Sequence, residues 1–208
     1  MSCEQKNVCI GIIGAGPIGL ECGLRALRHG YRFVLFESGD DVASNVRSWS
    51  HVQLFTPLKM NMSALGRSSL EEKQDDHTFL TGGAYIDRYL RPISCLLQSH
   101  IRLRHRVISV SRDQQLNQFV LLVENGQEDR EEYVTVDCVI DASGTYSCPN
   151  FVGSGGLPAI GERACRAMDS SPLLFTIPNE QDERFAGKRL VLIGKGHSAA
   201  TSAVNLGS

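Results

Sequence analysis

Two short glycine-rich stretches carry most of the chemistry legible in this chain: Gly14-Ala15-Gly16-Pro17-Ile18-Gly19 and Gly194-Lys195-Gly196-His197-Ser198-Ala199. Glycines at this spacing suit a backbone that must approach a phosphate closely. The first permits a tight turn, the second the close approach, and the third lets a helix pack against a sheet. The anion is held by backbone N–H groups and by the positive end of a helix, so neither stretch needs a Lys or Arg at the contact. Such a motif is weak in isolation and gains its weight from what flanks it.

The flanks of the first turn fit. Residues 8–13 are a continuous apolar run, as expected of a strand buried on both faces in a parallel sheet. Ile18, Leu20, Leu24, Ala26 and Leu27 then recur at helical spacing, and Gly30 stands where a helix C-cap belongs. Residues 32–36 form a second apolar strand, closed by Glu37, Ser38 and Gly39. Strand, glycine turn, helix, strand and acid complete a βαβ unit. A carboxylate at Glu37 accepts hydrogen bonds from ribose hydroxyls and repels a 2′-phosphate, which selects FAD or NAD over NADP at this first site.

Further elements must surround that unit. Residues 38–80 are rich in turn formers and read as an irregular insertion over the C-terminal edge of the sheet, with room for a short helix. Arg47, Trp49, Thr56 and Asn61 within it either line a flavin ring or substrate cavity or simply pack as a loop. Glu71, Glu72, Asp75 and Asp76 read as a solvated charged face. Residues 83–99 form an amphipathic helix, with Ile86, Tyr89, Leu90, Ile93, Leu96 and Leu97 on one side and Pro92 as a source of kinking. Short strands follow at 101–111, 119–124 and 133–136, with Asn125-Gly126 signalling a hairpin. Val107 is either an ordinary core valine or a source of backbone contacts to an adenine ring.

Residues 139–142 read as a buried strand ending at Ser143-Gly144, whose small side chains let the backbone pass beside a flat cofactor or make a simple tight turn. The Gly-, Pro- and Ser-rich stretch 145–185 reads as a linker, and 189–193 as the strand leading into the second glycine turn. There Ala199 takes the helix-packing position, and His197 falls at the helix start as a local phosphate contact or cap.

With 208 residues, 42% hydrophobic, 21% charged and a net charge of −2, the chain has an ordinary soluble composition and no basic stripe for nucleic acid. It contains no apolar run of membrane-spanning length, and its polar N-terminus does not resemble a secretion signal, so a cytoplasmic location is expected. The seven cysteines include no Cys-x-x-Cys and no zinc spacing, which fits reduced thiols buried as small hydrophobes and argues against a redox-active cysteine pair. No Ser/His/Asp set is placed for hydrolysis, and no residue is singled out as catalytic.

The order GAGPIG, FES, an apolar helix containing Tyr89-Leu90, a β-meander, VIDASGTYSCPN and FAGKRLVLIGKGHSA resembles the flavin-containing monooxygenases and related bacterial FAD-dependent oxidoreductases. The similarity runs through nearly the whole chain and is firmest at 8–38, 137–150 and 185–200. It implies an α/β fold: a Rossmann-like FAD-binding domain over 1–150, with a parallel sheet and a β-meander crossover and the insertion at 38–80. It further implies a linker at 151–185 and, over 186–208, the start of a second, incomplete NAD(P)-binding Rossmann unit. The resemblance places FAD on Gly14, Gly16, Pro17, Ile18, Gly19, Glu37 and Ser38, with Val107, Ser143 and Gly144 nearby. It places the phosphates of NAD(P)H on Gly194, Gly196, His197 and Ser198. The activity implied is an oxidoreductase in which NAD(P)H reduces the flavin and oxygen or a small-molecule substrate, usually a nitrogen or sulfur nucleophile, is the acceptor.

Two positions depart from the family pattern. Phe151-Val152-Gly153 is followed by Leu157 where the monooxygenase signature Phe-x-Gly-x-x-x-His has its histidine, and the Gly-Gly-x-Trp that follows the ribose acid is absent. The second unit stops at Ser208, before the residues that distinguish NADH from NADPH. The same resemblance is therefore compatible with a shorter nucleotide-binding fragment or isoform that regulates or partners a longer relative.

Overall fold

The apolar run near the N-terminus becomes an interior strand, and the fold is built outward from it. In a computed structural model of the chain, which describes residues 6–70, 75–168, 171 and 173–207, contacts divide the molecule into two units, Met1–Gly144 and Thr145–Ser208.

The first unit begins with β1 (Lys6–Ile13), α1 (Pro17–Arg28) and β2 (Tyr31–Glu37). The insertion contributes α2 (Ser44–Arg47) and α3 (Ala64–Ser68), after which come α4 (Gly82–Tyr85), a π-helical turn (Ile86–Leu90) and α5 (Arg91–Leu96). Then follow β3 (Ile101–Leu103), β4 (His105–Asp113), β5 (Gln118–Asn125), β6 (Arg130–Val136) and β7 (Cys138–Asp141). A parallel sheet runs in the order β3-β2-β1-β7, and β4-β5-β6 form a separate antiparallel meander. This is the Rossmann-like α/β architecture with a meander crossover.

Side-chain alternation sets the layers. Ile10 and Ile12 of β1 and Phe33 and Leu35 of β2 pack with the helices, in one cluster with Leu20, Leu24, Ile86, Leu90 and Leu97. Cys9, Val34, Phe36 and Val139 point the other way and pack with Leu121, Val123 and Val136 of the meander. Both faces of β1 and β2 are covered, which is why their sequences are continuously apolar rather than alternating. Gly11 makes the second packing close, because a Cβ there would meet Val136 at 3.2 Å.

Several local expectations are altered. In α1, Leu20, Leu24 and Ala26 are buried, but Ile18 is 65% exposed at the first turn and Leu27 faces outward in the last. Ile18 lies roughly 200° around the axis from Leu20, so it cannot share that residue's buried face. The helix ends through His29 and a left-handed Gly30, whose N–H donates to the Leu27 carbonyl. The irregularity at Pro92 falls before the proline: the Arg91 N–H reaches back to Ile86, a wide π turn that accommodates a ring lacking its own N–H. The expected hairpin forms between β5 and β6, with a four-residue loop, since Asn125 pairs with Arg130 across the strands. Its side chain is occupied in accepting the Gln127 N–H.

Cysteine burial also differs from expectation. Cys95, Cys138 and Cys148 are exposed and Cys9, Cys22 and Cys165 half-buried, all six as free thiols, while Cys3 lies outside the described residues. Cys138 opens the edge strand β7, which has only β1 beside it.

The second unit contains α6 (Glu162–Arg166) and α7 (His197–Gly207), with short 3-10 turns at Ser154–Gly156 and Glu183–Phe185. The strand expected at 189–193 is not formed: the residues are apolar, but Val191 is 87% and Ile193 64% exposed. A strand exists only through hydrogen bonds to a neighbour, and among the described residues this unit supplies no other strand. No helix among the described residues is long and apolar enough to cross a membrane.

The layer assignment has a direct test. Leu121 is fully buried between meander and parallel sheet, whereas Tyr133 on the opposite meander face is largely exposed. Leu121→Ala is expected to lower stability by about 3 kcal/mol, and Tyr133→Ser by less than about 0.5 kcal/mol, in urea unfolding followed by the fluorescence of Trp49.

Candidate functional site

Three glycines of the first turn have three different reasons to be glycine. Gly14 has φ 95°, and its N–H donates to the Phe36 carbonyl at 2.7 Å. A Cβ at Gly14 would stand 2.7 Å from the Ala142 carbonyl oxygen. A Cβ on Gly19 would overlap the Gly14 carbonyl oxygen, so only glycine lets the first turn of α1 close over the loop. Gly16 is unlike both. Its backbone (φ −80°, ψ −171°) is open to any residue, and a Cβ there would find nothing within 4 Å. Neither backbone strain nor packing requires a glycine at 16.

Gly16 is also the N-cap of α1. No side chain caps that end, the first helical residue is Pro17, and the first turn holds no acid. The N–H groups of that turn are therefore unmatched by any cap, at the positive end of a 12-residue helix. The exposed Ile18 stands beside this opening.

Glu37 closes the other side. Its side chain is buried at the end of β2, where Oε2 accepts the Ala15 N–H at 3.0 Å and Oε1 accepts the Gly39 N–H at 2.8 Å. The hydroxyls of Ser44 and Ser38 approach Oε1 at 3.3 and 3.5 Å. A carboxylate offers about four acceptor positions, and among the described residues Ala15 alone donates to Oε2. The insertion seals the arrangement. Ala43, in the left-handed region at φ 57°, donates its N–H to the Ala15 carbonyl at 3.0 Å.

The turn after β7 lies alongside. The Ala142 N–H donates to the Ile13 carbonyl, and a Cβ on Gly14 would stand 3.1 Å from the Cα of Ser143. Asp141 accepts both the Ser143 hydroxyl at 2.6 Å and the Ser143 N–H at 3.0 Å, and these bonds hold its carboxyl below the usual carboxylate range. Gly144 is left-handed at φ 72°. Gly14, Gly16, Gly19, Glu37, Ser38 and Ser143 therefore lie close together. Val107 is a half-buried residue of the meander, opposite Val123.

The insertion residues considered for a cavity are bonded among themselves. Arg47 pairs with Asp41 at 2.6 Å, Thr56 and Asn61 share side-chain hydrogen bonds, and Trp49 packs against Gly82. Asp76 pairs with Arg67, and Asp75 accepts from Thr78 and His77, while Glu71 and Glu72 lie outside the described residues.

Sequence patterns did not disclose a second polar cluster. The Tyr89 hydroxyl donates to Glu21 of α1, the Ser63 N–H reaches the same oxygen at 3.3 Å, and the Tyr85 hydroxyl donates to Asn61 at 2.7 Å. Burial pushes both tyrosine hydroxyls well above their usual range. The only earlier signal was the helical spacing of Tyr85 and Tyr89.

In the second unit, Gly194 has φ 147° and a Cβ there would contact Ala199 at 3.3 Å, while Gly196 has nothing within 4 Å of a Cβ. The Gly196 carbonyl accepts from Ala199 and Ala200, which places His197 and Ser198 in the first turn of α7. This repeats the logic of Gly14 and Gly16.

A βαβ unit with an uncapped helix end, an open glycine and a buried acid at the next strand end defines a dinucleotide-binding Rossmann-like domain. The pyridine nucleotide-disulphide oxidoreductase family model matches residues 11–208, and the chain belongs to that family. No curated protein sequence matches it. Among solved structures it is similar to the bacillithiol disulfide reductase of Bacillus cereus (17% identity, TM-score 0.59, 70% of this chain and 42% of that one). It is similar also to the S-allyl-L-cysteine S-oxygenase of Allium sativum (18%, 0.53, 66% and 36%). A third is a cyclohexanone monooxygenase variant of Rhodococcus sp. Phi1 bound to NADP+ (20%, 0.56, 66% and 26%). The chain thus spans less than half the length of each.

The contrast between glycines is measurable without any ligand. Gly16→Ala is expected to leave urea stability within about 0.5 kcal/mol, whereas Gly19→Ala forces the loop off the helix and costs about 1–3 kcal/mol.

Proposed function

We propose that this chain is an FAD-dependent oxidoreductase, monooxygenase-like, that takes reducing equivalents from NAD(P)H and delivers them to oxygen or a small-molecule substrate. The observation that carries this reading is Gly16: a glycine unexplained by the fold, at an uncapped helix end, beside Ala15, whose N–H the strand-end Glu37 accepts. The residues present fit a dinucleotide. The first turn of α1 (Pro17, Ile18, Gly19) and Gly16 hold a pyrophosphate through backbone N–H groups, and Oε2 of Glu37 accepts a ribose hydroxyl. Ser38 adds a hydroxyl next to Glu37, while Ser143 and Gly144 bound the opening from β7 and leave room for a flat ring.

FAD, when bound, supplies two-electron redox chemistry that no side chain of this chain provides. Gly194, Gly196, His197 and Ser198 hold the phosphates of NAD(P)H in the same backbone manner. The cyclohexanone monooxygenase bound to NADP+ supports a nicotinamide partner. The cysteines support the oxygenase branch over thiol–disulfide exchange, since no two of the seven are spaced Cys-x-x-Cys and the six described are all free. Leu157 in place of the signature histidine favours general FAD/NAD(P)H oxidoreductase chemistry over the strict monooxygenase pattern.

Reconstitution tests this reading. The purified chain incubated with FAD is expected to retain visible flavin absorbance through gel filtration, and NAD(P)H is expected to bleach it. Gly16→Val is expected to abolish flavin retention with an unchanged circular dichroism spectrum, because the valine stands where the pyrophosphate must lie. A wild-type chain that takes up no flavin, or a valine variant that keeps it, overturns the assignment.

A further inference from the structure

The second unit holds a cavity of about 550 Å³ lined by Phe151, Pro158, Arg163, Arg166 and Ala167. We propose that it binds a small organic anion, with an oxyanion head on Arg163 and Arg166 and an apolar body against Phe151 and Pro158. This inference does not rest on flavin binding.

The cavity is held in shape by a buried acid. Glu162, 6% exposed, accepts the N–H of Ala159 at 2.8 Å and that of Val152 at 3.2 Å. These bonds pull both ends of the 152–159 loop onto the start of α6, and Phe151 and Pro158 flank the two anchored residues. Both Glu162 oxygens accept those amides, and among the described residues neither is in an ion pair. Gly153 tightens the loop further, since a Cβ there would overlap the Leu157 carbonyl oxygen.

The two arginines stand three residues apart on α6, a spacing that puts them on neighbouring positions of one helix face. Among the described residues no carboxylate forms an ion pair with either. Arg166 is preorganised: its guanidinium lies over the Phe175 ring at 5.3 Å and donates to the Ser147 carbonyl at 3.4 Å. An arginine held by an aromatic face and a carbonyl, and not by an acid, keeps its positive charge available. Arg166 held in this way, with Arg163 beside it and a ring and a proline at hand, matches a carboxylate or phosphate that carries an apolar substituent. The volume falls within the range of small-molecule sites, about 300–1,000 Å³.

Four probes separate head from body: benzoate, phenyl phosphate, the neutral benzamide and inorganic phosphate, each titrated into the full 208-residue chain by calorimetry. At least one of benzoate and phenyl phosphate is expected to bind about tenfold or more tightly than benzamide, and the tighter of the two identifies the head group. Arg163→Gln and Arg166→Gln are each expected to weaken that binding about tenfold. Both side chains are solvent-exposed, so circular dichroism should be unchanged; Gly16→Val, in the other unit, should leave the binding intact. The proposal is overturned if benzamide binds as well as the anions, if inorganic phosphate matches phenyl phosphate, or if neither arginine substitution alters affinity.

Discussion

The carboxylate of Glu37 ties the glycine turn, 22 residues away in sequence, to the end of β2 and the start of the insertion. Buried at the end of β2, it accepts the amides of Ala15 and Gly39 and is approached by the Ser44 hydroxyl. A charge so enclosed is tolerable only because these donors replace water, and each such bond to an ionised group is worth about 1.5–3 kcal/mol. Ala15 is held from its other side as well, since its carbonyl accepts the Ala43 N–H. The middle of the glycine turn is thereby clamped between the strand-end acid and the start of the insertion. Ala43 keeps its left-handed backbone because that clamp compensates a strain of about 1–2 kcal/mol.

The clamp gives the glycines their separate meanings. Gly14 and Gly19 are required by contacts inside the chain, with Ala142 and with the loop's own carbonyl. Those contacts bring the strand-end turn and the helix start close enough that Gly16 is left at the rim with nothing opposite it. A ligand phosphate would meet a surface whose donors are already oriented, so little conformational entropy remains to be lost on binding. The insertion thus serves the site by fixing the backbone that binds, while its own polar groups, among them Arg47, Thr56 and Asn61, are bonded among themselves.

How much of this was legible in the sequence follows from the range of each signal. The βαβ unit, the meander and the acid at the strand end are written in local periodicity and in a short motif, and the structure has them. Residues 189–193 are as apolar as 8–13, yet only the latter have neighbours to pair with; strand propensity reports on a residue and not on its partner. Exposed Ile18 and exposed Cys95 and Cys138 belong to the same class, because apolar character does not say which way a side chain points at an element's end or edge. The bonds of Glu21 to Tyr89 and of Glu162 to Val152 and Ala159 depend on tertiary contact or loop geometry, which periodicity does not encode. Glu37 was legible as an acid in the right place. Its role in bracing the glycine turn from within required the coordinates.

The molecule meets anionic chemistry in two physically different ways. At Gly16 the positive field comes from backbone N–H groups and a helix end, which are fixed in geometry and carry only partial charge. At Arg163 and Arg166 it comes from full charges on long side chains, which are constant across the physiological pH range. With a dinucleotide as proposed, the first arrangement would discriminate by shape, since any side chain at 16 would close the approach, and Glu37 would add selection for a hydroxyl over a further phosphate. The second discriminates by charge and by the apolar floor, and tolerates variation in the head group. Solvent exposure further makes its affinity sensitive to salt, whose screening length is about 8 Å at physiological ionic strength. Backbone donors suit a dinucleotide of invariant geometry, and an open arginine pair suits a smaller anion whose body can vary.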